Sequence, residues 1–395
     1  MKKIFLVFLI AVYFFDAGYL FSQPDTSSKT PELIQYRNGD KWGFCNIDKR
    51  IIIPVKYDEA IPFREGLAAV KLNRKWGFID KKGKEVISLK YDRIGEFSEG
   101  LTKVCLNNKW GFIDKEGKEV ILLIYDEAKE FSEGLAAVKL NEKYGFIDKE
   151  GKEIIPMKYD DVDNFIDGYA IAILADKWGF INKEGKEITP LKYEQVWNFR
   201  EGLAAVKLNN KEGFIDKEGN EIIPIIYGKA EWFIEGLAAV ELNGNQGFID
   251  KEGKEVIPLQ YDFVNWFSEG LSVAKFSGKW GYIDKEGKEV IPLKYNKALS
   301  FSDGLAAVCS KAGWGYVNKE GKEVVPLKYD ATVYFSEGLA AVKLIDKFGF
   351  VDKVGKEVIS LDYDVVSNFI GGLAKVMING KWGYIDKNGT QYWEE

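Results

Sequence analysis

Residue types equipped for chemistry are scarce in this chain, and the commonest of them recur too often to be catalytic. There is no histidine in 395 residues. That excludes a Ser-His-Asp triad, a His-activated cysteine and any imidazole-ligated zinc or haem site. Three cysteines, Cys45, Cys105 and Cys309, are too few and too scattered for a disulfide framework or a thiolate cage. Cys105 and Cys309 occupy the same slot of a repeat and read as buried thiols acting as small apolar residues. Acidic turns such as Asp284, Glu286 and Glu289 invite a calcium reading, but Lys285 and Lys288 alternate with them. A calcium loop needs convergent carboxylates without competing cations, so these read as solvated turns with paired charges. No glycine-rich loop follows a strand and opens a helix, so no nucleotide or other cofactor is expected. With 55 basic against 61 acidic residues and a formal net charge of −6, nucleic acid and anionic membranes are not expected partners.

The remaining candidates are unevenly spread aromatics. Trp197, Trp232, Phe263, Trp266 and Tyr334 stand at positions that vary freely elsewhere, close to Glu212 and Gln246, where a recurring aromatic is missing. Variable positions on a constant scaffold are where repeat proteins usually write a binding surface. These seven residues form the candidate binding set, as an aromatic ladder that stacks sugar rings or anchors a protein loop. The competing structural reading is that Trp197, Trp232 and Trp266 refill the volume vacated at Glu212 and Gln246.

What positions these residues is one repeat. Aligned on Trp42-Gly43, equivalents fall at Trp76, Trp110, Tyr144, Trp178, Glu212, Gln246, Trp280, Trp314, Phe348 and Trp382, always 34 residues apart. The best-formed unit reads WGFIDKEGKEVIPLKYD, four variable residues, then FSEGLAAVKL. Helix pairs share this period, but each unit carries three glycines and usually a proline among short Val, Ile, Phe and Tyr runs, which excludes helices. Three strands are expected: a (Leu67 to Leu72 in one copy), b (Trp76 to Asp80) and c (Glu85 to Tyr91), joined as an antiparallel meander. Turns such as Asn243-Gly244 link a to b, and Asp-Lys-Glu-Gly-Lys links b to c. Prolines within c, such as Pro54, Pro156 and Pro292, cannot donate to a ladder and place c at a sheet edge. Tyr at the end of c and Phe before Glu-Gly read as core between repeats, and the second window residue (mostly Ala, Val or Ile) as buried.

This pattern resembles the WG (KWG) repeat family of exported and surface-associated bacterial proteins, over residues from about 32 to the end. The resemblance implies no catalytic residues, because that family is defined by its repeat. The departures are Glu212, Gln246 and Lys49, which stands where the b–c turn glycine is expected.

Lys2 and Lys3 before the apolar run Ile4 to Phe15 read as a secretory signal peptide over 1–22, cleaved after Ser22, with an uncleaved anchor as the alternative. The run is too short to span a bilayer. A polar linker (23–31) then leads to the array (32–395). The expected fold is all-β: eleven three-stranded meander repeats in an open superhelical stack, with a closed β-propeller as the alternative. The open form is favoured because eleven blades exceed the usual 4–8 and no phase shift between the chain ends is visible. The expected function is a non-enzymatic scaffold in the periplasm, at the cell surface or secreted, with a protein partner, or alternatively a glycan.

Overall fold

The computed structural model describes residues 31–394, all β and turn. The expected signal peptide and nearly all of the linker lie outside them. The three strands form where the pattern places them: in the second unit Leu67–Leu72, Lys75–Asp80 and Glu85–Tyr91, paired antiparallel in order. Strand c lies at the sheet edge, as its prolines require. A fourth strand was not anticipated. Two window residues, Glu59–Ala60, pair with strand a on its free side, so most sheets are four-stranded. The window pair begins one residue after c of the preceding sheet ends, so one extended run serves two neighbouring sheets. In the fifth blade c is irregular: the Thr189 hydroxyl, buried, takes the Phe180 N–H.

Both turns around strand a are tight. Ser98-Glu99-Gly100-Leu101 closes with reciprocal Ser98–Leu101 backbone bonds and φ of 54° and 88° at Glu99 and Gly100. Positive φ at both central residues marks a type I′ hairpin, usual for Asn-Gly but strained for Glu. The glycine after the motif aromatic has a different cause. Strand c bulges across it, so a Cβ on Gly281 would stand 2.5 Å from the Ile291 carbonyl oxygen. Only glycine lets the two backbones approach this closely.

Alternation sends the two faces of each sheet to different neighbours. Phe112, Ile121 and Tyr125 of the third sheet pack against Ala136, Val138 and Ile147 of the fourth. Sheets are thus apolar on both faces, and the Ala-Ala pair keeps them close. Ten times, the strand-b aromatic meets the Phe that precedes strand a in the next sheet, with centroids 4.6–5.1 Å apart. Each such pair contributes roughly 0.5–1.5 kcal/mol beyond its burial.

Eleven sheets in an open stack would meet at ten interfaces, but eleven distinct core clusters are present, one per interface of a ring. The eleventh joins Ile34, Tyr36 and Cys45 of the first blade to Tyr392, Leu373 and Tyr384 of the last. The open stack is therefore corrected to the alternative reading, a closed eleven-bladed β-propeller. Closure uses the chain end: among the described residues Trp393–Glu394 fills the window-strand place beside Ile34–Asn38 and pairs with it in parallel. The phase shift was invisible because this strand comes from a truncated c rather than from a displaced repeat boundary.

Candidate binding surface

The repeated charges are spent on the scaffold. Asp80 and its equivalents accept two amide N–H groups of the b–c turn. Asp92 accepts the Asn107 N–H of the following a–b turn and pairs with Lys75, which holds its carboxyl below the usual range. Glu99 reaches into the next blade, where its carboxylate accepts the Gly134 N–H and pairs with Lys149 at 3.1 Å. This last pairing recurs at nine interfaces, from Lys115–Glu65 to Lys387–Glu337, at 2.8–4.0 Å, and at a tenth Lys81 reaches Glu32, one residue past that slot, at 2.6 Å. It gives the strained glutamate of the I′ turn a structural use. At the seam between blades 11 and 1 the corresponding positions are Ile47 and Gly371, and no such pair forms.

The motif aromatic is the second residue of strand b, mostly half-buried. A lysine from strand a covers it in several blades: Lys71 over Trp76 at 5.4 Å and Lys375 over Trp382 at 4.9 Å. Glu212 takes this position in the sixth blade. It is 7% exposed, and its carboxylate accepts the Ala230 N–H of the next window strand at 2.7 Å. Burial pushes its carboxyl above the ordinary glutamate range, against the Ala230 bond and the nearby Lys207. Gln246 repeats the arrangement one blade on, its Oε1 accepting the Val264 N–H at 2.9 Å. Both side chains clamp consecutive blades.

The five aromatics fall at three window positions. Trp197, third in its window, packs against the core between blades 6 and 7, as Ile61, Leu299 and Val333 do at their interfaces. Phe263, first in its window, lies 5.3 Å from Trp280. Trp232, Trp266 and Tyr334 share the fourth position in blades 7, 8 and 10. Trp232 is half-buried beneath the Arg200 guanidinium at 4.9 Å, whereas Trp266 and Tyr334 are 36% and 40% exposed. Trp232 and Trp266 thus stand at one position of adjacent blades. Sequence reasoning passed over Trp280 and Trp314, which line a groove between blades 8 and 9 with Lys275 and Lys297. Their signal was the charge change around them, Asn296 where Tyr is usually followed by Asp.

Cys45 and Cys105 are buried and Cys309 is partly so; burial pushes the Cys45 thiol up to about 11. Among the described residues no helix is long and apolar enough to cross a membrane.

A family model described as "WG containing repeat" matches ten consecutive segments from 42–76 to 348–382. The chain belongs to the WG-containing repeat family. Glu212 and Gln246, two of the departures from the repeat, fall between matched segments of this WG-repeat chain. No curated protein matches it in sequence. Among solved structures it is similar to a eukaryotic initiation factor, at 12% identity over 82% of this chain and 94% of that one, with a TM-score of 0.40. It is also similar to the dihydro-haem d1 dehydrogenase NirN, at 14% identity over 87% and 76%, TM-score 0.35. A third is PorZ, a surface component of the type-IX secretion system of Porphyromonas gingivalis, at 10% identity over 90% and 63%, TM-score 0.26. These values carry no functional argument.

Proposed function

We propose that this WG-repeat ring is an exported, non-enzymatic scaffold whose variable window residues present a binding surface to a protein partner. The observation that carries this reading is the division of labour within the repeat. Recurring acids and lysines are engaged in turns and blade-to-blade pairs, while side chains that differ between copies gather in the windows, with Trp266 and Tyr334 among the exposed ones. The carboxylate that does stand apart from the repeat background, Glu212, is buried and spent on the Ala230 N–H between two blades. The basic, apolar amino terminus supports export. Cross-linked pull-down from the native cell envelope, with a Trp197/Trp232/Trp266 triple alanine variant as control, tests it. Capture that the triple variant loses supports the proposal. Failure to capture, together with tryptophan quenching by soluble sugars, moves the function to glycan binding.

A further inference from the structure

We infer that the groove between blades 8 and 9 is a binding site for an acidic, partly apolar peptide segment. The inference rests on the protein-scaffold reading and names where and what the ring binds. The groove has a volume of about 540 Å³ and is lined by Trp280 and Trp314, Ala298 and Leu299, and Lys275 and Lys297. Both tryptophans are half-buried and Lys297 is exposed. Phe263 packs on Trp280 from the blade-8 side.

The charge here departs from the rest of the ring. In blades 2 and 4 the strand-a lysine pairs with a glutamate in the window strand, Lys71 with Glu59 and Lys139 with Glu127. In blade 9 the window residue is Lys297, opposite Cys309. In five blades the lysine opening strand b pairs with an aspartate, as Lys109 does with Asp126. Here Asn296 replaces that acid, and Lys279 reaches only its amide oxygen at 3.3 Å. No carboxylate lines the groove, and among the described residues neither Lys275 nor Lys297 has an acidic partner. The nearest acid of the a–b turn, Asp262, is engaged by the Gly278 N–H. In a protein of net charge −6 this is a local cationic site between two aromatic walls.

The lining selects the occupant. A sugar presents hydroxyls that need acceptors and donors together, and the groove offers one neutral amide, already used by Lys279. A peptide carrying carboxylates beside apolar side chains satisfies the lysines while burying its apolar groups on the tryptophans.

The test uses the full ring and a fluorescein-labelled, end-capped nonapeptide of alternating Glu and Phe, read by anisotropy at two salt concentrations. A lysine-for-glutamate peptide is the charge control. Binding of the acidic peptide alone, weakened about tenfold or more by Lys275→Glu with Lys297→Glu and unaffected by Lys71→Glu in blade 2, supports the site. Equal binding of both peptides, or no loss in the double variant, overturns it. So does binding of an oligogalacturonate without binding of peptide, or self-association that the double variant abolishes. Envelope pull-down with the same double variant separates the two proposals. If the double variant retains a captured partner, the groove is wrong and the scaffold reading stands; absence of any capture by the parent ring sinks the scaffold reading itself.

Discussion

Substitution of Glu212 by Gln is expected to stabilise the ring at neutral pH. The carboxylate is 7% exposed and makes one strong contact, to the Ala230 N–H at 2.7 Å, with Lys207 opposite it in the strand pair. Burial holds its carboxyl above the ordinary range, so the folded ring retains the proton to higher pH than the unfolded chain. Stability therefore falls as pH rises through the interval between the unfolded and folded values, and the penalty is complete above the folded one. Gln keeps an oxygen acceptor for Ala230, as Gln246 does for Val264. The loss is the charge-assisted part of one hydrogen bond, about 1 kcal/mol. The gain is removal of a buried charge whose desolvation costs several kcal/mol before partial compensation by the lysine. A net gain of about 1–2 kcal/mol at pH 8 follows, shrinking to within about 0.5 kcal/mol at about pH 3, below the ordinary glutamate range, where Glu212 is essentially neutral in both states. Paired urea titrations of parent and variant at the two pH values, followed by tryptophan fluorescence, measure it. A variant less stable at pH 8, or a difference that does not change with pH, refutes the reasoning and makes Glu212⁻ a well-paired group.

Three further outcomes are expected. Gly281→Ala puts a methyl 2.5 Å from the Ile291 carbonyl oxygen and close to two more backbone atoms, whereas Gly270→Ala meets open space at φ +84°. The first should cost about 3 kcal/mol or more and the second about 1 kcal/mol in urea titration. Glu212→Trp alone should destabilise by about 1–3 kcal/mol if Trp197 occupies the vacated space, and Trp197→Leu should recover most of that, as a double-mutant cycle will show. In folded protein at pH 8 only Cys309 should react with a thiol reagent within minutes, because Cys45 and Cys105 are both 0% exposed. Three equivalents without denaturant would contradict the packing.

Much of the blade was legible because its determinants are local. Turn glycines, Ala-Ala, strand-c prolines and the Tyr and Phe positions each state a constraint within a few residues, and the strands lie where they place them. The window strand escaped because two residues, Glu59–Ala60, carry no periodicity. Closure escaped because ring against stack depends on a small rotation at each interface, set by side-chain volumes summed around the molecule. Traces of it were present: Ile47 and Gly371 both abandon the Glu–Lys pairing at the one interface joining the chain ends, and aromatic Tyr36 and Tyr392 meet there. Of the candidate surface, the aromatic positions were readable, but not that Glu212 and Gln246 turn inward as clamps. Nor was the cationic groove beside Trp280, whose signal is the absence of an acid at Asn296.

Closure itself is tested most directly by a distance across the seam. Spin labels at Asp40 and Asn379, in the a–b turns of the first and last blades, are placed in a Cys309→Ser background and measured by pulsed electron resonance. The ring predicts the same separation as between labels at Asn107 and Glu142 of consecutive blades, since Arg37 donates to the Trp382 carbonyl at 2.6 Å and Asn38 bonds Glu394 at 2.9 Å across this junction. Tyr392→Ala should broaden the seam distance and leave the other unchanged. An open stack would put the Asp40 and Asn379 labels many sheet spacings of about 10 Å apart, and that result would contradict the eleven-bladed ring.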